Sequence, residues 1–538
     1  MSTPDGSALR DDAKIFTEYE GDHSARRHRL QRILAMALLV VFCFFFGSAF
    51  TLFGPYLIMM FLVPLVVLGL VVIWALPDTQ APPLRVMAIS TFTLYLTLVL
   101  WPNYLAIDLP GLPWITMVRL SEAPLLLSLL ISLSQSQAFR SQLYAVLQAT
   151  PLVWKLLLGF ACVQFLTIPF SHQPVGSLQV VVDDQITCTA VYFAAAYVFL
   201  KPGRVEFFVT SIVVVLMVLG LIAIPEFRHG HVIWAEHIPS FLKINDPIVQ
   251  AILQGGMRAY TGVYRVQATF STSLGFGEFV ALAAPFVLYF VILDERWPVR
   301  VAAALSIPFV VYVALLTGSR SAILGCLVAS MLWLLSWGVL RWKRDKHSLL
   351  GAVVTFGFPM IGALVLAATM FIGRLHRAVW GGGETTFSTQ ARQDQWRTGF
   401  PLIVHNPIGH GAAQSGVTLG YRMASGELSI DSYFLSILLD YGVLGFILFF
   451  GMFALGIYYG ANSIWRSPKL TEPQKMILPL TISLANFVMV KTVFAQADIH
   501  PLVFMMLGIL SACVYRSATM EPSANPGIAT LATSRTPK

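Results

Sequence analysis

The chain has 538 residues, of which 57% are hydrophobic and only 12% charged, about half the charged share of an ordinary soluble domain. Its mean hydropathy of +0.73 is spread along the whole length as apolar blocks of about 20 residues, which excludes a soluble globular domain and indicates an all-α, polytopic transmembrane helix bundle. The formal charge of +8 does not point to nucleic acid or another anionic partner, because membrane proteins collect Lys and Arg on cytoplasmic loops for topological reasons. Residues 1–32 read as a polar, disordered N-terminus that turns basic at Arg26, Arg27, Arg29 and Arg32 and stays in the cytoplasm. The block Ile33 to Phe53 looks like a signal sequence, but no small-residue cleavage site leads into a soluble domain and more spans follow at once, so it reads as a retained first helix.

Further spans are expected near 56–76, 84–101, 114–133, 154–171, 179–200, 206–225, 275–293, 301–317, 322–340, 349–372, 432–460, 475–494 and 499–515, about 12 to 14 in all. Alternation from a cytoplasmic start then puts Arg85, Arg140, Lys201 with Arg204, Arg296 with Arg300, the run Arg341 to Lys346, Arg466 with Lys469, and Arg516 on the inside, as the positive-inside rule requires. Membrane segments 33–225, 275–372 and 431–515 are thus separated by two long extracytoplasmic loops, 226–274 and the larger 373–430 between late spans, and 516–538 is a cytoplasmic tail. Both termini are cytoplasmic. Amphipathic pieces at Ile248 to Met257 and Ala391 to Val404 read as short helices along the membrane surface.

The five cysteines, Cys43, Cys162, Cys188, Cys326 and Cys513, all fall in apolar blocks, where a thiol behaves as a small hydrophobe. Arg119 with Glu122 and Asp183 with Asp184 are ionisable groups at membrane depth, which need a partner or water; structural pairing is as good a reading as function. More telling is Thr317-Gly318-Ser319-Arg320-Ser321, a link too short to excuse an arginine at the outer boundary. Gly381 to Gly383 read as a hinge, and Gly409 and Gly411 as a tight turn beside Pro407. Trp396 and Tyr433 are aromatics of the kind that gather at any membrane interface.

From about Val263 to Gly445 three patterns occur in order. The first is Tyr264-Arg265-Val266-Gln267-Ala268-Thr269-Phe270 leading through Gly275 into a span, and the second is Thr317-Gly318-Ser319-Arg320-Ser321-Ala322. The third runs Arg392-Gln393-Asp394-Gln395-Trp396, His405-Asn406-Pro407-Ile408-Gly409-His410-Gly411, Asp431-Ser432-Tyr433-Phe434 and Asp440-Tyr441-Gly442-Val443-Leu444-Gly445. In this order, and all on the outer side of the derived topology, they resemble the O-antigen ligase and Wzy-type polymerase superfamily of bacterial cell-surface polysaccharide assembly. The chain departs from it at one place: family ligases show a His-Asn pair where Asp431-Ser432 stands here.

The resemblance implies a multi-pass protein of the bacterial inner membrane, active on the periplasmic side. Its donor would be an oligosaccharide on a polyprenyl diphosphate in the outer leaflet, and its acceptor a glycan or lipid-linked glycan whose hydroxyl displaces the diphosphate. Chain-length regulators or export proteins are the implied protein partners, and no nucleic acid is expected. Two phosphates gain charge as the anomeric bond breaks, and arginine forks suit that charge. Arg320 and Arg392 are therefore the candidate catalytic cations, with Arg265 and Arg397 binding substrate. Asp431 is the first candidate base, ahead of Asp394, Glu384 and His410; Asp394 and His410 also count as substrate-binding. No Asp-x-Asp metal motif lies on the outer side, so metal-independent transfer without a cofactor is expected. The missing histidine favours a polymerase over a ligase. A lipid-linked saccharide transporter would carry ionisable groups along a midplane path and show repeated halves, which are not seen; a non-catalytic export subunit is the remaining alternative.

Overall fold

The computed structural model describes residues 66, 68–74, 82–108, 114–244, 246–254, 264–347, 349–373, 376, 386–422, 428–467, 470–492 and 496–520. The readings for 1–32, the span at 33–53, most of that at 56–76, Gly381 to Gly383, Glu384, Lys469 and 521–538 fall outside the described residues. The chain divides into one unit of Met1–Ala75 with Leu109–Pro113 and another of Leu76–Asp108 with Trp114–Lys538. In the first, residues 66 and 68–74 are helical. All the other described elements belong to the second.

The second unit begins with α1 (Leu84–Leu100) and a two-residue hairpin, β1 (Ala106–Ile107) paired antiparallel with β2 (Ile115–Thr116). Then come α2 (Met117–Gln135), α3 (Gln137–Ala149), α4 (Pro151–Thr167) and α5 (Pro174–Asp184), which runs through a π-helical turn at Gln185–Ala190 into α6 (Val191–Val198). The middle of the unit holds α7 (Arg204–His229), α8 (Pro247–Gln254), α9 (Ser273–Ile292), α10 (Trp297–Leu316), α11 (Arg320–Arg344) and α12 (Leu349–Phe371). The last five are α13 (Thr386–His405), α14 (Ser415–Leu419), α15 (Tyr433–Arg466), α16 (Glu472–Val490) and α17 (His500–Met520). Among the described residues ten helices are long and apolar enough to cross a membrane, so the protein is an all-α, polytopic membrane bundle. Apolar α1 and the α5 to α6 run stand at two further expected spans.

The helices lack a polar stripe because lipid, not water, faces them. α12 buries only Gly351 and Thr369, whereas α9 is buried along almost its whole length. α9 packs against α7, α10, α11 and α16. Its approach to α11 is close: a Cβ at Gly325 would stand 2.3 Å from that of Ala281, the small-residue contact that lets membrane helices touch through their backbones. Pro285 has no N–H to offer the carbonyl of Ala281 four residues back, and in hydrocarbon an unpaired carbonyl costs several kcal/mol. The side chain of Asn486 on α16 supplies the donor, bonding Ala281 O at 2.8 Å and Gly325 O at 3.0 Å, so one amide fastens three helices.

Three features were not expected from the sequence. Between two spans lies α3, capped by Ser136, whose hydroxyl accepts from Phe139 N. The span expected from 179 starts earlier, at Pro174, and carries the π turn. Finally, α15 is broken at Gly442, whose φ of 67° and ψ of −170° no helix accommodates. The amphipathic segments near 248 and 391 are helical, as α8 and α13.

Candidate functional site

One end of the unit gathers the segments before α2, after α7, between α10 and α11, and before α15 and α17. Segment 264–272 is the most tightly fastened of them. Glu226, fully buried at the end of α7, accepts from Tyr264 Oη (2.8 Å), Gln267 N (2.8 Å) and Ala268 N (2.9 Å). Thr269 Oγ1 donates to Val99 O at 2.6 Å, and Val266 N to Leu316 O at 3.2 Å. Held this way, Arg265 lies along the turn after α10, where its Nε donates to Thr317 O at 3.1 Å. Gly318, at φ 59°, leaves room for it: a Cβ there would stand 3.1 Å from that Nε. Two residues later Arg320 opens α11, so two arginines far apart in sequence share one turn at a helix N-terminus, where backbone N–H groups also favour an anion.

The second group surrounds Asp431. Arg392 Nε on α13 lies 3.9 Å from Asp431 Oδ2, and Asp431 N donates to Gln395 Oε1 at 2.9 Å. Burial pushes the Asp431 carboxyl above the ordinary aspartate range; Arg392 and the Ser429 hydroxyl pull the other way. Asp394 and Arg397 stand exposed on α13. Trp396 packs inward, against the small core of Ile403, Leu419, Leu435 and Leu439.

The third group is the loop after α13, seated in the break of α15. Leu439 O accepts from His410 N (2.9 Å) and lies 3.0 Å from His410 Nδ1, Asp440 O accepts from Gly411 N (2.9 Å), and Val443 N donates to Pro407 O (3.0 Å). The Asp440 carboxylate accepts from Gln414 N at 2.9 Å and Ser415 N at 2.6 Å. A Cβ at residue 442 would meet Pro407 O at 2.1 Å, which is why glycine stands there. Gly409 and Gly411 are both left-handed, with φ of 102° and 91°.

A buried ion pair joins the first two groups. Lys491 Nζ lies 3.0 Å from Glu278 Oε1, and both side chains are almost fully buried. Glu278 neighbours Gly277, where a Cβ would stand 2.8 Å from that of Ser319 in the arginine turn. From its other side, Lys491 O accepts from Tyr433 N at 3.1 Å, two residues past Asp431, and the Tyr433 ring centroid is 5.4 Å from Nζ.

A family model described as O-Antigen ligase matches residues 301–450. The chain carries an O-antigen ligase domain. That domain spans α10 to about the middle of α15 and contains Arg320, Arg392, Asp394, Arg397, His410 and Asp431; Arg265 and its Glu226 anchor lie before it. The protein is thus a polytopic membrane protein in which residues 301–450 are similar to the O-antigen ligase family. None of the curated proteins compared with the chain matches it.

Sequence reasoning missed Glu226, Lys491 and Glu278. The signal was present for the last two, since an acid and a base within apolar blocks at matching ends of their helices call for one another. Glu226 was read as the first residue of a loop, where nothing marks a carboxylate as buried.

Proposed function

We propose that the protein is a glycosyltransferase acting at the periplasmic face on saccharides carried by a polyprenyl diphosphate, and that it is a polymerase. The observation that carries this reading is the Arg265 bond to Thr317 O, which sets two arginines on one turn at the start of α11. An acceptor hydroxyl attacks the anomeric carbon, and the bond from that carbon to the phosphate oxygen breaks. The diphosphate leaves with the electron pair, and its new charge falls between Arg265 and Arg320. The hydroxyl proton passes to a carboxylate, for which Asp431 is the first candidate: its raised affinity for protons suits a base, and Arg392 and Gln395 hold it in place. Arg392, Arg397, Asp394 and His410 line the approach, and the reaction runs without a metal.

Asp431-Ser432 in the place of the family ligases' His-Asn supports polymerisation; the description of the matched family supports the second reading, transfer of a finished glycan to lipid A core. Purified protein given a defined polyprenyl-diphosphate oligosaccharide decides between them. A ladder of multiples without any second acceptor is the expected product. A single transfer that requires lipid A core makes the protein a ligase, and no transfer under either condition removes the enzyme reading.

A further inference from the structure

A second group of polar side chains lies in the part of the chain that precedes the ligase domain. Glu122 on α2 is 3% exposed, and its Oε1 has no hydrogen-bond partner. It stands within electrostatic reach of Asp183 and Arg119, which lie 3.6 Å apart and are 48% and 39% exposed, so the group reaches the molecular surface on that side. Deeper in, Gln164 Nε2 donates to Asp184 Oδ2 at 2.8 Å, and Gln164 Oε1 accepts from Gln185 Nε2 at 2.8 Å. Gln185 begins the π turn, a departure from α-helix often found at functional sites.

Gln164 Nε2 also donates to Tyr441 Oη at 3.3 Å, beside the break of α15. On the same side Ser177 Oγ donates to Ala412 O at 2.8 Å, and a Cβ at Gly411 would stand 2.7 Å from that of Ser171. The loop carrying His410 is therefore wedged between α15 and the α4 to α5 corner, and the Glu122 group adjoins it. Its surplus is of carboxylates, three against one guanidinium, while both amide oxygens already accept hydrogen bonds. They do not converge as a cage, and among the described residues no group of three or more His, Cys, Asp and Glu is placed to hold a metal ion. An orphaned buried carboxylate oxygen beside a partly exposed ion pair calls for a hydroxyl donor.

We propose that Glu122, Gln164, Asp183, Asp184 and Gln185 form a hydroxyl-binding subsite for a sugar unit of the acceptor glycan, separate from the arginine turn that takes the diphosphate. This rests on the glycosyltransferase reading above.

The probe is the lipid-free oligosaccharide released by mild acid from lipid-linked glycans of cells that lack this protein. With the full chain in nanodiscs, saturation transfer to the probe is expected for wild type and for Arg320→Lys. Glu122→Ala and Gln164→Ala weaken it about tenfold, the loss of one or two hydrogen bonds to a sugar. Glu122→Gln, which keeps the shape and one acceptor, falls between and shows that the helices remain assembled, as does an unchanged unfolding temperature. In the transfer assay with the lipid-free oligosaccharide supplied as a distinct acceptor, Glu122→Ala raises KM for that acceptor and leaves KM for the lipid-linked donor unchanged. No saturation transfer from wild type, equal binding by wild type and Glu122→Ala, or loss of binding in Arg320→Lys overturns the subsite. Absence of all transfer by wild type, with probe binding intact and dependent on Glu122, overturns the enzyme reading and leaves the subsite standing.

Discussion

The arginine turn and the Glu122 group sit at the same end of the bundle, and they satisfy their charges in opposite ways. Arg265 is held by backbone: its Nε is bonded to Thr317 O, and the segment bearing it hangs from a buried carboxylate by three donors. Glu122 has one oxygen with no donor at all. Fixed cations with permanent charge are pre-set for a leaving group whose charge appears only in the transition state. Acceptors short of donors are set for a neutral, hydroxyl-rich molecule in its ground state. On the proposed function the difference separates chemistry from recognition, and it is open to test.

The largest effect is expected at Arg320. Arg320→Lys keeps the charge and stem but loses the fork, so transfer should fall by about tenfold or more, as for loss of a charged donor of about 1.5 to 3 kcal/mol, while insertion and expression stay normal. Arg341→Lys at the opposite end of α11, beside Trp337, is the matched control and should be silent in the same assay. Near-normal product from Arg320→Lys would leave Arg265 and Arg392 as the only clamp.

Glu226→Gln should come next. An amide offers one acceptor where the carboxylate serves three donors, so Ala268 N or Gln267 N loses its partner, at a cost of about 1 to 3 kcal/mol. We expect a lower unfolding temperature and a drop in kcat, with KM for the acceptor unmoved. A change in acceptor KM alone would mean that the two regions are not distinct.

A smaller effect concerns pH. A base must be unprotonated to act, so the acid limb of the rate profile should lie above the ordinary aspartate range, because burial holds the proton on Asp431. Arg392 opposes that burial, so Arg392→Gln should move the limb further up, read as log kcat/KM against pH. For stability the same upward shift runs the other way: its contribution is full below the unfolded aspartate pKa and is lost as pH rises through the folded one. A limb that does not move in Arg392→Gln removes Asp431 as the base. The smallest effect of all is expected from chelator: activity should be unchanged, and loss restored by a divalent ion would refute charge neutralisation by arginine alone.

The spans were legible because hydrocarbon demands about 20 apolar residues and leaves no other solution. Arg320 was legible for the converse reason, as a charge without a loop long enough to account for it. What could not be read was the pairing across distant segments. Nothing in the order of residues says that Glu226 holds segment 264–268, or that Asn486 answers the carbonyl freed by Pro285. The α15 helix reads as one continuous apolar run, and its break is visible only once Pro407 is seen against Gly442.

That break has a consequence for depth. Leu439 and Asp440 lie six and seven residues into α15, about 10 Å along its axis from Tyr433. An intact helix has no spare carbonyls or N–H groups at that level, so an irregular loop could not rest there without leaving its own backbone unpaired. By opening, the helix offers two carbonyls and an N–H, and the loop from Pro407 to Gly411 is countersunk into the bundle rather than perched on its rim. On the proposed function, a substrate on a long polyprenyl tail would be met near its own level in the bilayer, and its tail would stay in hydrocarbon, sparing the protein the roughly 0.8 kcal/mol for every methylene that lifting it into water would cost.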